Sequence, residues 1–220
     1  TEKLIRLTFP PSYLYKPVDV ENTKILDLSF TKDLTVYFCG QSLHKIHPEF
    51  DRLLVEILRK DLKGVCIFIE AMPGWSNILL KRLKTLDIEI PKRIIFLPPS
   101  SQTEYFSLLK RADVILDSIY FCGGISSVEA LAFGKPIVTW PNSPLLCSRV
   151  TSGYYHEIGV LDCIAESAEE YVELSVRLGT NLVWRKQIET KIRDKCQLLF
   201  NRSEVIREFE DFCVNAVEAA

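Results

Sequence analysis

Two adjacent glycines and two nearby serines follow a short apolar run in the middle of the chain. The run, residues 113–117, has the length of a strand, and the pair Gly123–Gly124 permits a tight turn. Ser126–Ser127 are predicted to cap a helix over residues 128–133. A strand that enters a helix through a glycine turn directs free backbone N–H groups and the positive end of the helix dipole at one point. The sequence therefore predicts a phosphate site at this turn.

The spacing of these glycines argues against two well-known nucleotide motifs. It is not G-x-G-x-x-G, and G-x-x-x-x-G-K-[ST] occurs nowhere in the chain. Dinucleotide binding of the NAD type and P-loop hydrolysis of nucleoside triphosphates are therefore disfavoured.

A second candidate loop, residues 40–48, contains Lys45 close to the helix start that Pro48 marks. A lysine beside a helix N-terminus meets an unfavourable dipole unless an anion shares the site. Lys45 is therefore a candidate anion ligand, and the alternative is a solvated surface lysine. The chain has only 3 histidines, which suggests no metal cluster.

A third loop, residues 98–105, leads into another helix, because Ser101 and Glu104 have capping-box spacing. Tyr105 then lies on the first helical turn, either as a core aromatic or as a ring that stacks on a base. Glu129 also has two interpretations. It completes a second capping box with Ser126, or its carboxylate accepts hydrogen bonds from ribose hydroxyls.

Strand-like and helical patterns alternate from residue 34 onward, whereas residues 1–33 are predicted to be a linker or the tail of a preceding domain. This alternation predicts an α/β domain over residues 34–220, with a Rossmann-like parallel sheet, helices on both faces and further helices at the C-terminus. Ligands of such sheets bind beyond the carboxyl ends of the strands. The predicted strands are 34–39, 65–70, 93–97, 113–117 and 136–140, with a weaker one at 160–165; the predicted helices are 49–61, 76–86, 102–111, 126–133, 145–157, 168–179, 182–197 and 203–218.

Composition narrows the class of ligand. The 220 residues include 27 Lys and Arg against 29 Asp and Glu, and the net charge of -2 gives no reason to expect nucleic acid or an acidic membrane as partner. No apolar run approaches the length of a membrane span. Seven cysteines without a C-x-x-C pair indicate reduced core thiols in a cytoplasmic protein. The start at Thr1 and the single methionine, Met72, indicate a portion of a longer polypeptide.

Several stretches together resemble one enzyme family: residues 41–48, residues 98–105 before Ala112-Asp113-Val114, and GGISSVEALAFGKPIVTWP from Gly123 onward. The chain resembles the carboxyl-terminal half of the glycosyltransferases that include O-GlcNAc transferase, particularly bacterial members of the Spindly type and related bacterial protein glucosyltransferases. The likeness continues through Arg149-Val150-Thr151, GVLDCIA and Trp184-Arg185, and covers about residues 34–215. Residues 4–17 resemble the exit from the preceding Rossmann-like half.

This resemblance implies a GT-B fold in which the chain binds the donor. The implied reaction is inverting, metal-independent transfer of GlcNAc or glucose from a UDP-sugar to protein side chains, with no cofactor besides the donor. The acceptor-side base and the TPR helices that present the protein acceptor would belong to a missing amino-terminal region. The chain alone is therefore expected to be inactive.

The resemblance also implies roles for single residues. Lys45 would be the catalytic contact to the diphosphate, with Gln41 or Ser42 nearby. The backbone around Ser100 and Gln102 would bind the uracil, on which Tyr105 would stack. Glu129 would hold the ribose, and the diphosphate would be cradled by Gly123, Gly124, Ile125, Ser126 and Ser127.

One departure bears on activity. O-GlcNAc transferase has Gly-His-Thr-Thr where this chain has Gly123-Gly124-Ile125-Ser126, and many bacterial relatives have Asn-Thr in place of Ile125-Ser126. Ile125 has no side-chain donor, so the phosphate contacts would rest on backbone N–H groups, Ser126 and Ser127. The alternatives are another GT-B enzyme, such as a small-molecule glycosyltransferase or a UDP-sugar epimerase, and a non-catalytic nucleotide-sugar-binding pseudoenzyme.

Overall fold

A computed structural model describes residues 4–8, 12–18 and 26–218 of the chain. Its centre is a parallel sheet of five strands in the order β3-β2-β1-β4-β5. Residues 36–39 of β1 are all buried, and because successive strand residues point to opposite faces, both faces of the sheet are covered. The strands are β1 Thr35–Cys39, β2 Gly64–Ile69, β3 Ile94–Leu97, β4 Val114–Leu116 and β5 Ile137–Val138.

Eight α-helices lie in the described part of the chain. α6 packs on the sheet against β1, β4 and β5 and also contacts α1 and α7, whereas α3 contacts β1. The predicted Rossmann-like α/β class is confirmed. The helices are α1 Pro48–Lys60, α2 Trp75–Leu86, α3 Gln102–Arg111, α4 Ile125–Ala132, α5 Val150–Ile158, α6 Ala168–Thr180, α7 Leu182–Lys195 and α8 Ser203–Glu218.

The strand order reverses direction between β1 and β4. β1 pairs with β2 on one side and with β4 on the other, so the chain progresses toward β3 in one direction and toward β5 in the other. Such a reversal leaves a crevice at the carboxyl ends of the two central strands. The loops that follow β1 and β4 therefore border one crevice, although they are far apart in sequence.

Three predicted elements differ from the structure. The helix predicted at 145–157 is a 3-10 turn, Leu146–Ser148, followed by α5, because the Ser148 hydroxyl donates to the carbonyls of Ser143 and Leu145 and holds the turn separately. The weaker strand at 160–165 contributes a single bridge between Thr139 and Ile164. The helix predicted at 182–197 ends at Lys195 and continues as a 3-10 turn.

The described part of residues 1–33 contains one short regular element, the 3-10 turn Ser29–Thr31. Leu14 is buried and its carbonyl accepts a hydrogen bond from the backbone N–H of Asn201 at 2.9 Å. The backbone N–H of Thr8 donates to the carboxylate of Glu208 at 2.6 Å. This segment therefore lies against the C-terminal end of the chain, and its assignment to a preceding domain stays a prediction.

All seven cysteines are unpaired thiols, as expected. Five of them are buried, whereas Cys147 is half-buried and Cys213 is exposed, so the expectation of core thiols is wrong for Cys213. In the described ranges, no helix is both long and apolar enough to cross a membrane.

Candidate functional site

A chain of three side chains joins the loop after β1 to the first turn of α4. The ammonium group of Lys45 donates to Oε1 of Gln41 at 3.2 Å, and Nε2 of Gln41 donates to Oγ of Ser126 at 2.9 Å. Gln41 and Ser126 are 85 residues apart in sequence. The crevice between β1 and β4 thus brings together the two loops that sequence analysis identified separately.

An open cleft of about 600 Å³ lies beside this connection. Lys45, Phe121, Leu146 and the segment 123–126 contribute to its walls. The Lys45 ammonium lies 4.4 Å from the centre of the Phe121 ring, which is half exposed. Lys45 is the one basic residue among those that line the cleft. It lines the same cleft as residues 124–126, where α4 begins. The cleft is therefore suited to an anion.

The helix that borders the cleft begins earlier than predicted. α4 starts at Ile125 with Gly124 as its N-cap and no side-chain cap, so the prediction that Ser126–Ser127 cap it is wrong. The reason is that both hydroxyls bond elsewhere: Ser126 accepts from Gln41, and Ser127 pairs with the Thr151 hydroxyl at 2.9 Å. The N–H of Ser127 already donates to the carbonyl of Gly124, which leaves the N–H groups of Ile125 and Ser126 as the first donors of the helix without a side-chain cap.

Ser127 does not line the cleft. It is buried against Thr151, so the expectation that it contacts a phosphate does not fit this geometry. Ile125 is exposed at the start of α4, and its aliphatic side chain cannot donate a hydrogen bond. At this position the donor is therefore the backbone N–H. Gly123 is required sterically, because a Cβ there would lie 2.1 Å from Oγ of Ser127.

A buried acid under the turn was not recognised as a site residue from sequence. Oδ1 of Asp117 accepts the N–H of Gly123 at 2.7 Å, and Oδ2 accepts the Thr139 hydroxyl at 2.8 Å. Burial raises the pKa of Asp117 to about 6, although these bonds and the charge of Lys45 lower it. The available signal was an acidic residue at the end of an apolar strand that leads into a glycine turn. Phe121 and Thr151 carried no comparable signal.

A second group of side chains lies where α3 begins. The Ser101–Glu104 capping box is confirmed, with Ser101 N–H to Glu104 at 2.9 Å and Glu104 N–H to Ser101 at 3.3 Å. Tyr105 is half-buried with its ring 5.8 Å from that of Phe38, in an edge-to-face arrangement. Burial raises the pKa of Tyr105, and the charge of Glu129 raises it further. Tyr105 therefore lies near Glu129.

Glu129 is the fifth residue of α4 and not the third, so the capping interpretation of this residue is wrong. Its carboxyl group is half-buried, which raises its pKa, and the side chain of Gln102 opposes that rise by hydrogen bonding. Gln102 and Tyr105 at the beginning of α3 and Glu129 in the middle of α4 thus form a polar cluster. α4 connects this cluster to the cleft.

Two predicted residues have less defined surroundings. Ser100 is half-buried just before α3, consistent with a backbone role at that loop. Ser42 is exposed and lines a separate small pocket of about 90 Å³ with His44 and Trp75, so the structure does not bring it into the main cleft. Across residues 4–8, 12–18 and 26–218, no three His, Cys, Asp or Glu side chains form a group that could hold a metal ion.

The sequence of this chain is similar to those of several curated proteins. The curated relatives include a Caenorhabditis elegans UDP-N-acetylglucosamine--peptide N-acetylglucosaminyltransferase, 26% identical over 182 residues, which covers 81% of this chain and 16% of the relative. A probable enzyme of the same type from Petunia hybrida, SPINDLY, is 23% identical and is covered to 21%. The chain therefore spans about a fifth or less of the length of these relatives.

Solved structures show the same fold. A mutant of the Thermobaculum terrenum O-GlcNAc transferase superposes with a TM-score of 0.73 at 24% identity, covering 81% of this chain and 35% of that one. Anabaena HepE, solved with UDP and glucose, has a TM-score of 0.62 at 15% identity, covering 86% of this chain and 50% of that one. The family model described as "Glycosyl transferase family 41" matches residues 20–208. Because this match extends over most of the chain, the protein belongs to glycosyltransferase family 41.

Proposed function

We propose that this chain is the donor-binding part of a glycosyltransferase that moves GlcNAc or glucose from a UDP-sugar to protein side chains. The observation that carries the proposal is the connection Lys45–Gln41–Ser126 at the crevice between β1 and β4. It aligns one ammonium group with the start of α4, and a diphosphate is the part of a nucleotide sugar that matches this charge.

The diphosphate would lie in the cleft between Lys45 and the turn Gly124 to Ser126. The Lys45 ammonium supplies charge, and the first N–H groups of α4 supply directed donors. In the structure Lys45 bonds to Gln41 and lies against Phe121, so it is already held at the cleft before a ligand arrives. Little side-chain ordering is then required on binding.

The nucleoside would extend from the cleft along α4 toward α3. Glu129 would accept hydrogen bonds from the ribose hydroxyls, and Tyr105 would offer its ring to the uracil. The backbone around Ser100 and Gln102 would contact the edge of the base. The half-buried position of Glu129 supports this assignment, because a carboxylate in such a place needs donors to remain ionised.

The chemistry that this chain would perform is stabilisation of the leaving group. Negative charge grows on the UDP oxygen as the bond to the sugar breaks, and Lys45 together with the N-terminus of α4 would offset it. We propose inverting transfer without a metal and without a cofactor besides the donor. The base that takes the acceptor proton would lie outside this chain.

Proteins are proposed as acceptors because the curated relatives are named as transferases acting on peptides. A cytoplasmic location is part of the same proposal, and the buried unpaired cysteines support it. HepE, a structural neighbour, is described in complex with UDP-glucose as well as with UDP and glucose, which supports UDP as the carrier.

Calorimetry of the chain with UDP, UMP, ADP and NAD tests the donor assignment. We expect UDP to bind more tightly than each of the other three. A preference for NAD or ADP would refute the proposal.

Incubation of the full-length protein that contains this chain with labelled UDP-glucose or UDP-GlcNAc, followed by separation of protein and small-molecule products, tests the acceptor class. Label that reaches only small molecules would refute protein as the acceptor.

A further inference from the structure

The carboxylate of Asp117 lies directly behind the Gly123–Gly124 turn and is 2% exposed. Besides Gly123 and Thr139, it is fixed through its backbone: its carbonyl accepts the Tyr171 hydroxyl at 2.8 Å, and its N–H donates to the carbonyl of Val138 at 3.0 Å. Asp117 is thus anchored to β5 and α6. The Gly123–Gly124 turn is in turn held to Asp117 by the hydrogen bond from the N–H of Gly123.

The bond between Asp117 and Gly123 decides which N–H groups face the cleft. The N–H of Gly123 is directed inward, toward Oδ1, so it is withdrawn from any ligand. The Thr151 hydroxyl approaches the carbonyl of Gly123 at 3.4 Å from α5. With both polar groups of Gly123 held from behind, the outward donors begin only after this residue, at the start of α4.

We propose that Asp117 is a positioning residue that preorganises the diphosphate-binding turn through Gly123 and makes donor affinity depend on pH. The inference deepens the proposed function and rests on it, since the ligand is the diphosphate of the UDP-sugar. Donors that are fixed before binding need no reordering when the ligand arrives. Without an acceptor behind it, the N–H of Gly123 would be left buried and unpaired, and the turn would move to satisfy it.

The pH dependence follows from the charges around Asp117. Lys45 is the cation that faces it, and the thiols of Cys39 and Cys122 and the phenols of Tyr155 and Tyr171 face it from other elements. Burial raises the pKa of these thiols and phenols, so they stay neutral near pH 7. Asp117, whose pKa is about 6, is then the group of this set that changes charge near neutral pH.

A bound diphosphate brings further negative charge to the turn and favours protonated Asp117. When the pH is below the pKa of Asp117 in the ligand-free protein, Asp117 is neutral with and without ligand, and affinity is highest. At higher pH, binding has to take up a proton, so affinity falls with rising pH until the pH exceeds the pKa of Asp117 in the complex. The fall in affinity is therefore expected to begin near pH 6 and to continue at higher pH.

The test is calorimetry of the full chain with a UDP-sugar, whose diphosphate is esterified at both ends and has no group that titrates near neutral pH. We expect wild-type affinity to fall several-fold as pH rises above about 6. Asp117→Asn keeps an acceptor for Gly123 and should bind within about threefold of wild type at low pH, with no pH dependence. Asp117→Ala should bind roughly tenfold or more weakly than wild type at low pH, where Asp117 is neutral, while its affinity for uridine, which lacks phosphate, stays unchanged.

Thr139→Val serves as a matched control, because it removes one bond to Asp117 and keeps the carboxylate. That bond lowers the pKa of Asp117, so the fall in affinity should move to higher pH. A wild type without pH dependence, an Asn variant as weak as the Ala variant, or equal losses for uridine and UDP-sugar would overturn the inference. A wild type that binds neither UDP nor a UDP-sugar would refute the proposed function as well, whereas UDP binding indifferent to Asp117→Ala would refute only this inference.

Discussion

Gln41 and Ser126 are hydrogen-bonded side chain to side chain at 2.9 Å although 85 residues separate them. Gln41 is buried, and its other amide atom accepts from Lys45. One side chain thus fixes the distance between the lysine of the β1 loop and the first turn of α4. The amide therefore holds both parts of the proposed anion site at a fixed separation.

Replacing Gln41 by Glu tests whether this side chain lies beside the phosphates of the donor. The carboxylate still accepts from Lys45, but it places a negative charge in the cleft and loses the N–H donor toward Ser126. We expect UDP affinity to fall about tenfold or more, since a like charge near the diphosphate opposes binding. Calorimetry with UDP and with uridine measures this, and an equal loss for uridine would contradict the placement of Gln41 beside the phosphates.

Lys45→Ala should weaken UDP binding by roughly tenfold or more, because a charge-assisted contact to phosphate contributes about 1.5 to 3 kcal/mol. Lys60→Ala is the matched control, since Lys60 is an exposed lysine at the far end of α1. Titration calorimetry at two salt concentrations gives the comparison. Full UDP affinity in the Lys45 variant would remove this residue from the site.

Glu129→Gln tests the ribose contact, because the capping role is already ruled out by the start of α4 at Ile125. Wild type should prefer UDP to 2′-deoxy- or 3′-deoxy-UDP, and the variant should lose much of that preference because hydrogen bonds to a charged acceptor exceed neutral ones. The affinities of both proteins for all three ligands form thermodynamic cycles whose coupling term isolates the contact. Coupling near zero with both analogues would show that Glu129 does not hold the ribose.

Gly123→Ala should destabilise the fold by about 1 to 3 kcal/mol, the usual cost of forcing a methyl group into a packed site. The added Cβ would lie 2.1 Å from Oγ of Ser127 and 2.9 Å from Nε2 of Gln41. Gly153→Ala in α5 is the control: apart from its chain neighbours and the backbone of its own helix, no heavy atom lies within 4 Å of an added Cβ, and helix propensity should raise stability by about 0.5 to 1 kcal/mol. Urea unfolding measures both, and a Gly123 variant as stable as wild type would contradict the packing of the turn.

Local sequence determined the elements and the candidate loops. Apolar runs of strand length, the capping box at Ser101 and the glycine pair at 123–124 act over a few residues, so their outcome is decided by neighbours in the chain. The fold class and the three loops were therefore predictable. The resemblance to family members added the roles of Lys45, Tyr105 and Glu129, which stay proposals.

Tertiary structure alone decided which polar groups meet. The strand order puts β1 beside β4, and this pairing, which no local pattern specifies, brings Gln41 to Ser126. The partner available in the fold also redirected side chains: Ser127 pairs with Thr151 from α5 and does not cap α4, and Asp117 takes the N–H of Gly123. Hydrogen bonds of buried groups must be satisfied by whatever the packing places nearby, so their direction cannot be deduced before the packing is known.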